Sequence, residues 1–429
     1  MNHADESRSH VRPRFPVCAQ GGLSPACPEE ATDMPDLQIL RRPLDAAPAG
    51  AVNPFGLQAA REALAFHRSF PEYSPTPLVR LRGLAEALGA GEIFVKDESL
   101  RFGLNAFKAL GGSHAIARCI AQRLGLDFGA LRFDQLTSPQ LRRALGDVTF
   151  VTATDGNHGR GVAWTAMRLG QRSVVYMPQG TAPERLENIR RLGADASILD
   201  MPYDDCVRHA RAQAEDHGWI LVQDTSWSGY EQIPLWIMQG YTTMGMEILE
   251  QLQGIRPTHI LLQAGVGAMA GAMAAFFAAC WRDAPPTIIL VEPQSANCFF
   301  RTAAANDGAL HAAPGPMRTI MAGLACGEPC SIAWDVLSRC AEFYVSMPDW
   351  VAAKGMRTLA APLPGDARVI SGESGASTLG FAAVALERPD LRAQLGLDEG
   401  SRILCISTEG DTDRDNYRRI VWDGLHPAP

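Results

Sequence analysis

From Tyr73 onward, short apolar runs and helical spacings of apolar residues follow one another in a regular order. YSPTPLVRL is an extended entry, and GLAEALGAGEIFVKDES predicts a helix followed by a strand. FKALGGSHAIARCIAQRL has the 3.6-residue spacing of a helix; a less regular stretch, LDFGALRFDQLTSPQLRRALGD, then leads to the strand VTFVTAT and the helix HGRGVAWTAMRLG. SVVYMP, ASILD and ILVQD read as further strands, separated by the helices ERLENIRRLGA and YDDCVRHARAQAEDHG. A second set follows: the helix WIMQGYTTMGMEILEQL, the strand HILLQAG, an Ala-rich helix, the strand TIILVEP, then EFYVS, another helical region and the strand RILCIST. Strands alternating with helices in this way predict βαβ units and an α/β fold with mostly parallel sheets.

Residues 111–224 carry their own run of units, so the pattern predicts two open, twisted sheet domains, the smaller inserted in the larger. The large domain is expected from 36–110 and 225–429, the small one from 111–224. Residues 1–35 show no apolar period and are expected to be a disordered tail, with Met34 as an alternative start. The run Ala264 to Trp281 is nearly long enough to span a bilayer, but it follows a strand and is mostly Ala and Gly, so it reads as a buried core helix.

Composition narrows the function. With 46% apolar and 20% charged residues the chain is an ordinary globular one, and a net charge of −8 gives no support to nucleic-acid or anionic-membrane binding. Ten cysteines without the spacing of a secreted framework suit a reducing cytoplasm. Cys326 and Cys330, in CGEPC, lack a second Cys/His pair at ligand spacing, so no metal is expected.

Chemistry that needs an amine must choose among three lysines, because arginine stays protonated. Lys96 ends the strand IFVKD and reads as a solvated edge group or an ion-pair partner; Lys354, in DWVAAKGM, reads as an exposed helix face. Lys108 opens a helix among apolar neighbours, where desolvation would lower its pKa and favour a neutral amine.

Three polar turns end predicted strands. QAGVGAMAG, Gln263 to Gly271, is a glycine-rich strand-to-helix turn that suits either a phosphate or plain close packing. TDGNHGRG brings Asp155, Asn157 and His158 together, or merely caps a helix, and STEGDTD offers hydroxyls that suit a neutral ring nitrogen or a turn. In an α/β sheet such turns gather at the ligand-binding edge, and with a semi-buried lysine they point to one small phosphorylated aromatic cofactor.

With these motifs the chain resembles the fold type II pyridoxal-phosphate enzymes. Within that family, FGLNAFKALGG, TDGNHGRGVAW, QDTSW, QAGVGAMAG, AGLACGEP, ISGESGA and STEGDTD resemble the diaminopropionate ammonia-lyase branch, from about Phe66 to Gly424. The resemblance implies pyridoxal 5'-phosphate joined to Lys108 as an aldimine, Asn157 at the ring hydroxyl, and Gly265, Val266, Gly267, Ala268 and Met269 around the phosphate. It implies Ser407, or with less support from the pattern Thr408, at the ring nitrogen, and Asp155 and Asp224 as active-site acids beside His158. MPQG at Met177 to Gly180 departs from a pattern in which lysine is common, with no consequence expected for the chemistry.

The implied reaction is α,β-elimination of D- or L-2,3-diaminopropionate to pyruvate and two ammonia, by way of aminoacrylate. Lys108 would serve as base for the L isomer and Asp155 for the D isomer, and Asp155 or Asp224 would hold the β-ammonium. A serine/threonine dehydratase is the main rival, since it needs the same framework without a carboxylate for the β-amine. A β-replacement synthase and a non-catalytic cofactor-binding protein are further alternatives. A homodimer with a small amino-acid substrate as its partner is expected from the family, and Cys298 and Cys326 are expected as free buried thiols near the site mouth.

Overall fold

The computed structural model describes residues 37–44 and 49–429. The tail expected over residues 1–35 lies outside the described residues.

Two sheets organise the chain. The first has seven strands: β1 (Gln38–Arg41), β2 (Leu78–Arg80), β3 (Glu92–Asp97), β8 (His259–Gln263), β9 (Thr287–Pro293), β10 (Ala341–Met347) and β11 (Arg402–Ser407). Their order is β1-β10-β9-β8-β11-β3-β2; only the edge strands β1 and β2 run antiparallel to their neighbours. The second sheet, built between β3 and β8 in sequence, holds β4 (Thr149–Ala153), β5 (Arg172–Met177), β6 (Asp195–Ile198) and β7 (Ile220–Leu221), all parallel, in the order β6-β5-β4-β7.

The buried strands are the continuous apolar ones. β4 and β8 are buried at every residue, which is what a parallel strand covered on both faces requires. Several elements were not legible, β1 and the helix Leu57–His67 among them. β1 is a four-residue strand without a clear alternating pattern that exists because it pairs with β10, and the helix Leu57–His67 precedes the regular pattern. ILVQD forms only the two-residue β7, its last residues turning toward the site instead of continuing the ladder.

The Ala-rich run forms the helix Ala268–Cys280, buried along nearly its whole length beside the first sheet. No helix among the described residues is long and apolar enough to cross a membrane. Glycines let the central helices close on one another. A Cβ on Gly111 would stand 2.6 Å from Ile237 and Tyr241 of the helix Gln232–Leu252, and one on Gly161 would stand 2.9 Å from the backbone of Ala109. The N-terminal end of the helix Ala109–Leu124 is thereby pressed against the first turn of the helix Asn157–Arg168, which brings Lys108 to the polar turn after β4.

Candidate active site

Strand C-termini of both sheets open on one cleft. Lys108 lines it, at the start of the helix Ala109–Leu124. The loop before it takes left-handed turns at Phe102 and Asn105 and is stitched to the end of β11: the amide of Phe107 donates to Thr408 O at 3.1 Å, and Ala106 bridges Glu409. Lys108 Nζ donates to Asp224 Oδ2 in a short ion pair.

Asp224 follows β7 and is almost fully buried; its Oδ1 also meets Tyr203 OH at 3.4 Å and Gln223 Nε2 at 3.3 Å. Burial opposes the charges of both partners, but their mutual attraction prevails. Asp224 is held at about 2, and the pKa of Lys108 lies above the ordinary lysine range. This corrects the expectation of an amine kept neutral by desolvation: the lysine is buried, yet it is buried against a carboxylate.

The turn after β4 is fixed by Thr154, whose Oγ1 accepts from the amides of Gly156 at 2.9 Å and Gly159 at 3.0 Å. Gly156 has φ 147°, a backbone conformation that side chains disfavour. Asp155 faces the cleft; burial raises its pKa, against the opposing charges of Arg185 at 3.5 Å and Lys108. Asn157 Nδ2 donates to Glu409 Oε2 at 2.5 Å. His158 Nε2 lies 2.7 Å from the carbonyl of Val222, so it carries the proton and Nδ1 keeps a lone pair. That Nδ1 stands 3.9 Å from Asp224, and burial lowers the pKa of the ring, which stays neutral.

After β8, Gly265, Val266, Gly267, Ala268 and Met269 all line the cleft. Gly267 has φ 88°, a Cβ there would strike the Phe299 ring, and no side chain caps the helix that follows. The first amides of that helix are therefore free for a ligand. Cys298 and Cys326 are buried free thiols that both pack near Gly265: Cys298 Sγ lies 3.8 Å from Gly265 O, and a Cβ on Gly265 would be 3.1 Å from Cys326 Sγ.

The two hydroxyls expected near a ring nitrogen take different places. Ser407, the last residue of β11, does not line the cleft; its hydroxyl donates to Ser371 Oγ at 2.7 Å. Thr408 does line it, with Oγ1 accepting from Gln263 Nε2 at 3.1 Å. Successive strand side chains point to opposite faces, so only one of the two hydroxyls can reach the cleft.

Tyr203, Gln263, Ser374 and Glu409 also line the cleft and were not singled out in the sequence. Glu409 and Ser374 had a signal, lying inside the quoted STEGDTD and ISGESGA motifs; Tyr203 begins a helix without any local motif.

Comparison with known proteins agrees with this geometry. The model of the family described as pyridoxal-phosphate dependent enzyme matches residues 70–409. A diaminopropionate ammonia-lyase of Salmonella typhimurium is 50% identical over 370 residues, 85% of this chain and 92% of that protein. The crystal structure of the holo diaminopropionate ammonia lyase from Escherichia coli superposes with a TM-score of 0.85 at 45% identity, covering 92% of this chain and 99% of the other. The same Escherichia coli enzyme in complex with an aminoacrylate-PLP azomethine reaction intermediate gives a TM-score of 0.82 at 44% identity, covering 91% and 98%. The chain thus belongs to the pyridoxal-phosphate dependent enzymes and, within them, to the diaminopropionate ammonia-lyase family.

Proposed function

We propose that this chain catalyses the α,β-elimination of 2,3-diaminopropionate, with uptake of one water, to pyruvate and two ammonia. Lys108 is the observation that carries the reading. Its amine opens on a cleft that also holds an uncapped, glycine-led helix start and the carboxylates of Asp155, Asp224 and Glu409.

The residues present suit pyridoxal 5'-phosphate. The free amides from Gly267 onward would hold its phosphate, Asn157 its ring hydroxyl, Thr408 its ring nitrogen and Lys108 its aldehyde carbon. A hydroxyl at the ring nitrogen leaves that nitrogen unprotonated, which suits elimination over transamination. Bound there, the cofactor supplies the electron sink that a carbanion at Cα requires.

The protein's own part is proton placement. Without cofactor, Asp224 holds Lys108 charged; released by substrate as a neutral amine, Nζ would accept the Cα proton of the L isomer and become the ammonium that Asp224 stabilises. Asp155, whose raised pKa suits proton transfer, accepts it from the D isomer. The Cβ–N bond then breaks with its electron pair leaving on nitrogen, so that a β-ammonium departs as neutral ammonia. Neutral His158 offers Asp224 no fixed charge and leaves the Lys108 pair as its main partner.

We also propose residues 111–224 as a small domain set in the larger one, and a cytoplasmic homodimer, which light scattering tests. The function itself is tested by turnover of D- and L-2,3-diaminopropionate beside D- and L-serine. Two ammonia per pyruvate from the diamino acid, at a kcat/KM well above that for serine, is expected; faster pyruvate release from serine would make the chain a dehydratase.

A further inference from the structure

Three buried side-chain atoms of residues lining the cleft have no hydrogen-bond partner: His158 Nδ1, Gln263 Oε1 and Glu409 Oε1. Two are neutral acceptors. The third belongs to a carboxylate, and Glu409 is only 1% exposed. A buried carboxylate oxygen without a donor is costly, because water no longer solvates it.

The other acids of the cleft are already compensated. Asp224 contacts the Lys108 ammonium directly and accepts from Tyr203 and Gln223 as well. Asp155 has the Arg185 guanidinium at 3.5 Å. The direct donors to Glu409 are neutral, its Oε2 accepting from Asn157 Nδ2 at 2.5 Å and from Thr412 Oγ1 at 3.0 Å. The Arg185 guanidinium donates to Thr412 Oγ1 at 3.2 Å and attracts Glu409 through space, without a hydrogen bond to Oε1.

The backbone fixes Glu409 firmly. Its carbonyl accepts from Gly372 N at 3.0 Å, it bridges Ala106, and a Cβ on Gly375 would stand 2.8 Å from its carbonyl oxygen. A carboxylate so clamped cannot swing to solvent to satisfy its second oxygen. The residues lining the cleft include three carboxylates and one ammonium, so the space they enclose favours a ligand that brings positive charge.

We propose that Glu409 Oε1 accepts a hydrogen bond from the β-ammonium of the substrate and is the specificity-determining contact that selects a β-amino over a β-hydroxy amino acid. The inference rests on the elimination reading above. It moves the β-ammonium contact from Asp155 and Asp224, whose charges are spoken for, to the acid that has an oxygen to spare. A hydroxyl at Cβ can also donate to the Glu409 carboxylate, but only the ammonium adds a second charge, and with it the direct attraction of opposite charges to the hydrogen bond.

The test is calorimetric titration of the holoenzyme with 1,2-diaminoethane and with ethanolamine, which differ only in ammonium against hydroxyl. Wild-type enzyme is expected to prefer the diamine by at least about tenfold, the weight of the added attraction between two opposite charges in a partly buried site. Glu409→Gln keeps an oxygen for Asn157 and presents an amide where the free oxygen was, so the preference should fall to within about threefold. Glu409→Asp keeps the charge and should keep the preference.

A preference surviving in Glu409→Gln, including the case where both amines weaken equally through Asn157, overturns the proposal. So does a preference lost in Glu409→Asp. Equal affinity of the wild type for both amines overturns it without any variant, so a poorly folding variant leaves the question decidable. A wild type that releases no pyruvate from diaminopropionate sinks the function; one that does so while Glu409→Gln retains the diamine preference sinks only this assignment.

Discussion

Lys96 and Lys108 are both buried lysines paired with a carboxylate, and their surroundings differ in one respect. Lys96 is wholly buried and spends all three ammonium protons: on Thr76 O at 2.7 Å, Glu247 Oε2 at 2.7 Å and Gln251 Oε1 at 3.0 Å. Lys108 has Asp224 and otherwise faces the cleft, its side chain 16% exposed. The pKa of Lys96 is lowered, desolvation outweighing Glu98 and Glu247, while that of Lys108 is raised by Asp224 against the same desolvation. A depressed amine pKa would pick the wrong residue. What separates the cleft lysine from the structural one here is unspent hydrogen-bonding capacity beside the cleft.

Lys108→Ala should have the largest effect. Removing the amine should lower kcat/KM by at least about 10³-fold, the weight of a positioned base, and abolish the cofactor's visible absorption band. Asp155→Asn should divide the two isomers, lowering turnover of the D isomer by about 10²-fold and that of the L isomer far less. Equal loss for both isomers would leave the cleft with a single base.

Lys96→Met tests the other half of the comparison. It removes one of the two cations of Glu247 and leaves Arg101, which contacts it at 2.8 Å, as the other in a buried network with Glu98. Breaking one arm of a buried ion pair costs about 3–5 kcal/mol, read as a lower denaturation midpoint, while turnover per folded molecule should hold. Burial opposes the charge on Glu247, but Arg101 and Lys96 hold it down from 4.5 to about 2. Its stabilising contribution is therefore complete above pH 4.5 and disappears as pH falls toward 2, a dependence that Glu247→Gln should flatten in acid-unfolding curves.

The smallest expected effect concerns the paired hydroxyls. Thr408→Val should lower kcat/KM by about threefold to tenfold, one neutral hydrogen bond, whereas Ser407→Ala should show in stability by about 1 kcal/mol and little in turnover. The opposite pattern would return the ring-nitrogen contact to Ser407.

The same contrast explains what could be read from the sequence. β3, β8, β9 and β11, together with the turns they carry, were legible because continuous apolar runs and glycine-rich turns are local signals. The Lys96–Glu247 pair was not, since its partners lie on separate elements and only packing joins β3 to the helix Gln232–Leu252. Lys96 was left between an exposed edge group and an ion-pair partner, and the pairing is the half that holds. The Lys108 amine was placed correctly in the cleft, but its protonation depended on Asp224, a residue from the other sheet. That Thr408 lines the cleft while Ser407 bonds Ser371 was not legible, because a motif gives an order along the chain, not the face each side chain takes.

Since the chain holds three lysines, one measurement decides the central claim: borohydride reduction of the holoenzyme followed by peptide mapping. The account predicts the cofactor's pyridoxyl mass on the peptide carrying Lys108 alone. That mass on the Lys96 or Lys354 peptide, or on none, would contradict it.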